Sequence, residues 1–267
     1  MSSPAVADLA GPAIPPRTPA KFRAGLVPTV VALALIAVVW EAIARTSDGW
    51  VPGLAAIAES LVRILTTGST YGDLVLTLRR LLIAFVAATV AGLAIGAMMG
   101  FSKSFEAFMR PLVVIGLAIP DPMYFILALL LLGTAEHVGM LALILAVIPF
   151  VVHGADTGVR NRDRGLDEMS RVYRLPRRTY WVDVLGRQIA PIAVASMRTS
   201  LAFSWKIVVL MEALTQPHGI GAQIYYAFRL LRPDDMIAYA LIFVMIMKII
   251  EVAVFAPLDR KTGDWSR

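Results

Sequence analysis

Residues 155–190 read ADTGVRNRDRGLDEMSRVYRLPRRTYWVDVLGRQIA and form the one long polar interruption in the apolar second half of the sequence. The stretch holds eight arginines against five acidic residues, a net charge of +3. Apolar runs long enough to cross a lipid bilayer lie on both sides of it. Because lysine and arginine in short loops resist translocation across a membrane, we expect this loop to stay in the cytoplasm.

Within this loop, apolar residues recur at helical spacing, at Leu166, Met169, Val172, Tyr173 and Leu175. The pattern predicts a short amphipathic helix outside the membrane. Both ends of the loop are attached to apolar spans, so a partner protein that binds such a helix could move the spans.

The composition indicates a polytopic membrane protein. Of the 267 residues, 58% are hydrophobic and 16% charged, whereas soluble domains carry about 25% charged residues. The net charge of +6 does not indicate nucleic-acid binding, because the lysines and arginines lie between apolar blocks rather than in one patch. There is no cysteine, which excludes disulfides and thiolate metal sites, and the three isolated histidines lack the spacing of a zinc site.

Six apolar segments, each near the ~20 residues that a helix needs to cross a bilayer, predict an all-α fold with six transmembrane helices. They cover about residues 26–44, 81–101, 111–133, 137–153, 191–214 and 236–257. After the first segment, residues 54–65 are amphipathic and are expected to lie along the outer surface. Residues 1–25, rich in proline and alanine, predict a disordered tail rather than a signal peptide. Residues 258–267 form a second predicted tail.

The distribution of positive charge predicts that both termini are cytoplasmic. With the N-terminus inside, the inner segments hold 16 of the 25 lysines and arginines, the outer segments hold six, and the spans hold three. An excess of positive charge on the inner side is the usual signature of orientation in a membrane.

The third segment is interrupted by Pro120, Asp121 and Pro122. Two prolines and an acid within a span break the helical hydrogen bonds, which is tolerated only where protein or water covers the backbone. Broken helices of this kind often line a solute path. The alternative is a simple kink, with Asp121 bonded to a neighbouring helix.

The fifth segment carries Trp205, Lys206 and Glu212. A lysine at mid-span costs ~2.5–3.5 kcal/mol on insertion scales, so it normally faces protein or a water-filled cavity. Lys206 therefore lies on a path that suits anionic solutes, or it pairs with Glu212 or Glu251 as a structural bridge. In the sixth segment Lys248 and Glu251 are three residues apart, which predicts a local ion pair.

The second segment has a small residue at every fourth position: Ala84, Ala88, Gly92, Gly96 and Gly100. Small faces let helices approach closely in lipid. We interpret this stripe as packing within the subunit rather than as a dimer seam.

The polar loop resembles the EAA loop of ABC importer permeases, whose pattern is Glu-Ala-Ala, three residues, Gly, nine residues, Ile, one residue, Leu-Pro. The matching positions are Glu168, Ser170 as a small residue, Val184 at the Ile, and Pro191 at a second proline common in the family. Arg174 stands in place of the Gly, and residues 186–187 (Gly-Arg) replace Leu-Pro.

Other segments resemble the nitrate, sulfonate, taurine and bicarbonate branch of these permeases. The third segment begins Arg110-Pro111 and has a proline-rich middle before Gly133. The fifth has a tryptophan, a downstream glutamate and the Gly-Leu-Gly-like turn at residues 219–221. The resemblance covers roughly nine-tenths of the chain, from residue 26 to the end.

The resemblance implies an ABC importer permease fold in the bacterial inner membrane and a permease subunit for a small, anionic solute. The implied partners are a cytoplasmic ATP-binding-cassette ATPase, a second permease subunit of the same or a different kind, and a periplasmic substrate-binding protein. ATP is bound by the ATPase, and no cofactor is expected on this chain. In keeping with this, the sequence has no phosphate-binding loop, nucleophile motif or His-Glu-x-x-His, so the chain is not expected to be an enzyme.

The resemblance also assigns roles to particular residues. The helix around residues 166–181 is expected to be the coupling helix that lies in a cleft of the ATPase. Glu168 is the expected coupling contact, with Met169, Ser170, Arg171 and Arg174 on the docking surface. The fifth span, with Trp205, Lys206 and Glu212, and the break at Pro120, Asp121 and Pro122 are expected to line the translocation path. A secondary transporter or channel that needs no ATPase is the alternative.

Overall fold

The computed structural model describes residues 26–47 and 49–263, and each regular element in that part of the chain is helical. The helices are α1 (Leu26–Thr46), α2 (Leu54–Thr66), α3 (Gly68–Phe101), α4 (Lys103–Ala118), α5 (Asp121–Leu132), α6 (Glu136–Arg160), α7 (Arg164–Val172), α8 (Arg177–Thr179), α9 (Arg187–Thr215), α10 (Ile220–Arg229) and α11 (Pro233–Gly263). A π-helical turn, Tyr180–Gly186, joins α8 to α9. The all-α prediction is confirmed, while the predicted N-terminal tail, residues 1–25, lies outside the described residues.

Within the described residues, five helical segments are long and apolar enough to cross a membrane, and one bent pair of helices makes a sixth. The five are Pro28–Thr46, Gly68–Phe101, Glu136–Arg160, Arg177–Thr215 and Pro233–Ala253. With the bent pair counted as one span, the number agrees with the six predicted from hydropathy.

Several helices are longer than the apolar segments that predicted them. Helix α3 begins at Gly68, although hydropathy places the start of its span near residue 81. Helix α6 continues to Arg160, so the polar loop is shorter than residues 155–190. Helix α11 continues to Gly263, which makes part of the predicted C-terminal tail helical. Polar residues at a helix end lower the hydropathy of a window without ending the helix.

The predicted third span is not one continuous helix. Helices α4 and α5 meet at an angle of 99°, with the break at residues 119–120. Pro120 has no N–H with which to continue the helix, so the carbonyl of Gly116 lacks its usual partner. The Tyr124 hydroxyl donates to that carbonyl at 2.8 Å instead. The break that the prolines predicted is present, and the predicted span at residues 111–133 consists of parts of two helices, α4 and α5.

Helices α3 and α6 form the centre of the molecule, with α9 packed against both. A Cβ atom added at Gly92, Gly96 or Gly100 would lie 2.5–2.6 Å from the side chains of Val151, Ala155 and Val159 respectively. Glycines spaced by four on α3 therefore face residues spaced by four on α6, with no room for larger side chains. The stripe serves packing within the chain, as the sequence analysis proposed.

Helices α1 and α2 lie at the edge of this bundle. Helix α1 packs against only α2 among the described helices, and its apolar side chains are exposed on all sides, as expected for a helix in lipid. The N-cap of α2 is Gly53, which has no capping side chain, and the Glu41 carboxylate accepts from Leu54 N at 3.1 Å instead. Helix α2 also contacts the start of α11, where Ser60 donates to Asp234 at 2.7 Å.

Candidate functional site

The predicted amphipathic helix in the polar loop is present as α7, but it ends at Val172 and is shorter than the helix expected around residues 166–181. Its first turn is capped by Asp163, whose carboxylate accepts from Gly165 N at 2.8 Å. At its other end, Leu175 N donates to Ser170 O at 3.0 Å and Arg174 N donates to Arg171 O at 3.1 Å. This pair of bonds is a Schellman C-cap, which places Arg174 in the left-handed conformation with φ 49°. Arg174 therefore occupies the one position in the cap that favours glycine.

Helix α7 divides the predicted coupling residues between two faces. Glu168, Met169 and Arg171 are exposed, as is Arg174 just beyond the helix. Ser170 is buried, and its hydroxyl donates to Leu166 O at 2.7 Å. Two apolar side chains at the end of the helix are also exposed, Val172 at 78% and Tyr173 at 73%. The face that carries Glu168 has no partner among the described residues.

A buried carboxylate that the sequence analysis did not single out lies on the other face of α7. Asp167 Oδ2 is 2.9 Å from Arg162 Nε, and Asp167 Oδ1 accepts from the Tyr180 hydroxyl at 3.0 Å. We call these three residues the Asp167 network. The only available signal was the spacing of an acid five residues after an arginine, which is too common in a charged loop to be informative.

The residues at the break between α4 and α5 are only partly covered. Asp121 is half-buried, and Pro120 and Pro122 are exposed. The Asp121 carboxylate lies in the first turn of α5, where the helix dipole favours a negative charge. Asp121 makes no hydrogen bond or ion pair with another side chain in the part of the chain that the structure describes.

The three candidate residues of α9 lie in different surroundings. Trp205 is buried and stacks on Phe243 of α11, with ring centroids 4.1 Å apart. Glu212 is buried completely. Lys206 is exposed, on the same helical face as Thr199 two turns earlier. The structure therefore does not bring these three residues to one surface.

Both structural partners considered for Lys206 are engaged elsewhere. Glu212 pairs with Arg80 at 2.8 Å. Glu251 pairs with Arg198 at 2.7 Å and with Lys248 at 3.1 Å, which confirms the predicted local pair. Within residues 26–47 and 49–263, Lys206 makes no ion pair.

The surroundings of Glu212 form a buried polar network between α3, α9 and the turn before α10. Arg80 is 4% exposed and donates to Glu212 at 2.8 Å and to His218 O at 2.7 Å. The Thr77 hydroxyl lies 2.9 Å from Glu212 Oε2, and Gly221 N donates to the same oxygen at 2.9 Å. We call Arg80, Glu212, Thr77 and Asp73 the Arg80 network.

The Arg80 network also determines the conformation of the turn at residues 216–219. Asp73 Oδ1 accepts from Gly219 N at 2.9 Å, and Gly219 has φ 120°, a conformation that favours glycine. A Cβ atom at Gly219 would also collide with the Glu212 carboxylate. The network therefore fixes α10 to α3. At 1.5 Å per residue, Asp73 lies about 42 Å along α3 from Phe101, the last residue of that helix.

A cavity of about 640 Å³ lies between α4, α6 and α9. Its lining includes Phe150 and His153 of α6 and Ser196, Thr199 and Ser200 of α9. Apolar walls with a few polar groups are typical of sites for small molecules. Among the described residues there is no group of three histidine, aspartate or glutamate side chains placed to hold a metal ion.

Residues 88–258 match the family described as the binding-protein-dependent transport system inner membrane component. A probable ABC transporter permease protein of Brucella melitensis is 28% identical over 192 residues, with 70% of this chain and 78% of the relative covered. The putative aliphatic sulfonates transport permease protein SsuC of Bacillus subtilis is 25% identical over 256 residues, which cover 93% and 91% of the two chains. The nitrate import permease protein NrtB of Leptolyngbya laminosa is 23% identical over 239 residues, which cover 83% and 85%.

Among solved structures, a chain of the MetNI methionine ABC transporter in an inward-facing conformation is similar to this one, with a TM-score of 0.58. The similarity covers 76% of this chain and 100% of that chain, at 17% sequence identity. At this identity the likeness concerns the fold.

Proposed function

The chain belongs to the family of inner membrane components of binding-protein-dependent transport systems, and on that basis we propose that it forms the translocation path of an ATP-driven importer for a small anion. The proposed solute class is nitrate, taurine or another sulfonate. Relatives named as nitrate and sulfonate permeases support this class. The proposed partners are an ATPase that binds the ATP, a second permease subunit and a substrate-binding protein.

The observation that carries this proposal is the exposed face of α7. A nine-residue helix lies between two apolar spans, is capped at both ends, and presents Glu168, Met169 and Arg171 with no partner in the described chain. Exposed apolar side chains beside charges mark a surface for another protein. We assign the ATPase to this face, with Glu168 as the coupling contact and Arg174 at its edge.

Lys206 supports an anionic solute. A lysine that faces hydrocarbon is costly, so the exposed face of α9 must meet water or another protein chain. This suits a path between two permease subunits. Trp205 and Glu212 are buried within one chain, and we propose that they hold α9 in place rather than contact the solute. Pro120, Asp121 and Pro122 lie at a break in the helix, which within a membrane is tolerated only beside protein or water, and this also fits a site beside the path.

The proposed orientation has both termini in the cytoplasm. It rests on the excess of lysine and arginine in the segments assigned to the inner side. It places α7 in the cytoplasm, where the ATPase is, and places α2 and α10 on the periplasmic side, where a binding protein delivers the solute.

The test is uptake of radiolabelled taurine and nitrate by cells that depend on this chain. We expect uptake to be lost in cells that lack the ATPase and to survive collapse of the ion gradients. Uptake that persists without the ATPase and stops when the gradients collapse contradicts the proposal and indicates a secondary transporter.

The same assay tests the role of Lys206. We expect Lys206→Met to lower uptake about tenfold or more, because a charged hydrogen bond is worth ~1.5–3 kcal/mol and each ~1.4 kcal/mol is a factor of ten. Lys206→Arg keeps the charge and should retain most uptake. Lys103→Met removes an exposed lysine outside the proposed path and is the matched control. Equal uptake by Lys206→Met and the control excludes Lys206 from the path.

A further inference from the structure

Helix α7 has few attachments to the rest of the described chain. Among the described elements it packs against only the π-helical turn Tyr180–Gly186. Its N-terminus is held by Asp163, whose N–H donates to Gln188 of α9 at 2.7 Å. Among the described residues, the side-chain hydrogen bonds that join the helix itself to residues outside it are those of Asp167, which is 6% exposed and uses both carboxylate oxygens.

The partners of Asp167 reach three membrane-spanning helices. Arg162 donates to Val159 O, in the last turn of α6, at 2.8 Å. The Arg162 guanidinium also lies over the ring of Phe101, the last residue of α3, 5.2 Å from its centroid. Tyr180 is the first residue of the π-helical turn that leads into α9. One carboxylate on α7 is therefore bonded to Arg162, which contacts α3 and α6, and to Tyr180, in the turn that continues into α9.

The hydrogen bonds of Asp167 are strong enough to hold α7 in one position relative to the spans. Ionic hydrogen bonds are shorter and stronger than neutral ones, and burial weakens the competition from water. A nine-residue helix is too short to be stable alone and depends on its tertiary contacts. Without the Asp167 bonds, α7 keeps only its packing against the π-helical turn and the Asp163–Gln188 bond among the described contacts, so a force on its exposed face can rotate or tilt it.

We propose that Asp167 is the positioning residue that transmits movement of α7 to α3, α6 and α9. This inference rests on the proposed function, in which an ATPase moves α7. Asp167 and Glu168 are neighbours in sequence with different tasks, because Glu168 faces the partner and Asp167 faces the spans. Loss of Asp167 should leave the docking surface present but disconnect it from the transport path.

The experiment uses the full complex of this chain with its ATPase and binding protein, reconstituted in lipid vesicles. ATP hydrolysis and uptake of labelled taurine or nitrate are measured in the same vesicles. For Asp167→Asn we expect the ATPase to co-purify and to hydrolyse ATP, while solute imported per ATP falls about tenfold, within the ~5–150-fold range of coupling between sites. Asp183→Asn removes an exposed carboxylate from the π-helical turn and should keep the wild-type ratio.

Tyr180→Phe removes one of the two Asp167 partners without changing charge, and it should give an intermediate ratio. It also keeps the test decisive if Asp167→Asn does not assemble. A wild-type ratio of solute to ATP in Asp167→Asn or Tyr180→Phe overturns the inference, as does loss of ATPase binding in folded Asp167→Asn. Absence of any ATPase from the purified wild-type complex is a different result, and it overturns the proposed function.

Discussion

Glu212→Gln is the change that most sharply tests the structural role of the Arg80 network. The glutamine has nearly the same size and shape, so it leaves no cavity. Its side-chain oxygen can still accept from Gly221 N, which lies 2.9 Å from the native carboxylate. What the change removes is the negative charge 2.8 Å from Arg80, in a place where Glu212 is 0% exposed.

The expected loss of unfolding free energy follows from the ion pair between Arg80 and Glu212. Removal of one partner of a buried ion pair costs about 3–5 kcal/mol, because the other charge stays buried without compensation. Arg80 retains Glu136 at 3.0 Å, but that carboxylate is 44% exposed and compensates only in part. We therefore take the lower end, about 3 kcal/mol, which is a fall in Tm of roughly 6–12 °C at ~2–4 °C per kcal/mol.

The assay is thermal unfolding of the purified chain in detergent, followed by tryptophan fluorescence. Glu59→Gln, which neutralises an exposed glutamate on α2, is the control and should change stability by less than about 0.5 kcal/mol. Arg80→Met combined with Glu212→Met should be less destabilised than the sum of the two single changes, because the pair is lost together. If Glu212→Gln and Glu59→Gln unfold at the same temperature, Glu212 is not held in a buried ion pair and the reasoning is refuted.

Two further changes test particular contacts. Arg174→Gly should raise the stability of the α7 C-cap by about 1–2 kcal/mol, because only glycine adopts φ 49° without cost. The measurement is hydrogen exchange of the Leu175 amide, which should become slower. Faster exchange at Leu175 contradicts this prediction. Gly96→Leu should lower Tm in the same fluorescence assay, because a Cβ atom there would lie 2.6 Å from Ala155 Cβ and from Val152 O, and overpacking costs about 1–3 kcal/mol. The control is Gly72→Ala, where an added Cβ atom has nothing within 4 Å. Equal Tm values for the two variants contradict the close packing at Gly96.

Local patterns in the sequence were enough to predict the membrane-spanning helices, α2, α7 and the break in the third span, but not α8 or α10. The spacing of Leu166, Met169 and Val172 predicted α7, and Pro120 predicted the end of α4. The 99° angle between α4 and α5 was not predictable, because a proline determines where a helix ends and the packing of both neighbours determines the direction of the next one.

The surroundings of Glu212 were not predictable from local patterns. Its partner Arg80 is 132 residues away in sequence, and no short-range rule joins them. Hydropathy assigned Arg80 to an outer segment, since polar residues lower the average over residues 68–80. The absence of glycine and proline from residue 73 to residue 91 was the available signal that α3 continues through Arg80.

The Arg174 position shows how a resemblance and a structure complement each other. The family pattern has glycine there, and this sequence has arginine. The structure has a turn at this position, with Arg174 itself in the left-handed conformation. The backbone bonds of the Schellman cap therefore offset the steric cost of an arginine there.

The central claim is that α7 is the helix through which an ATPase acts on this chain. The most direct measurement is the amount of ATPase that co-purifies with the tagged chain from gently solubilised membranes, for wild type, Glu168→Arg and Glu59→Arg. Both changes reverse an exposed glutamate, one on α7 and one on α2. The account predicts that the ATPase co-purifies with wild type and with Glu59→Arg and is lost with Glu168→Arg. An ATPase that stays bound to Glu168→Arg, or one that never co-purifies with wild type, contradicts it.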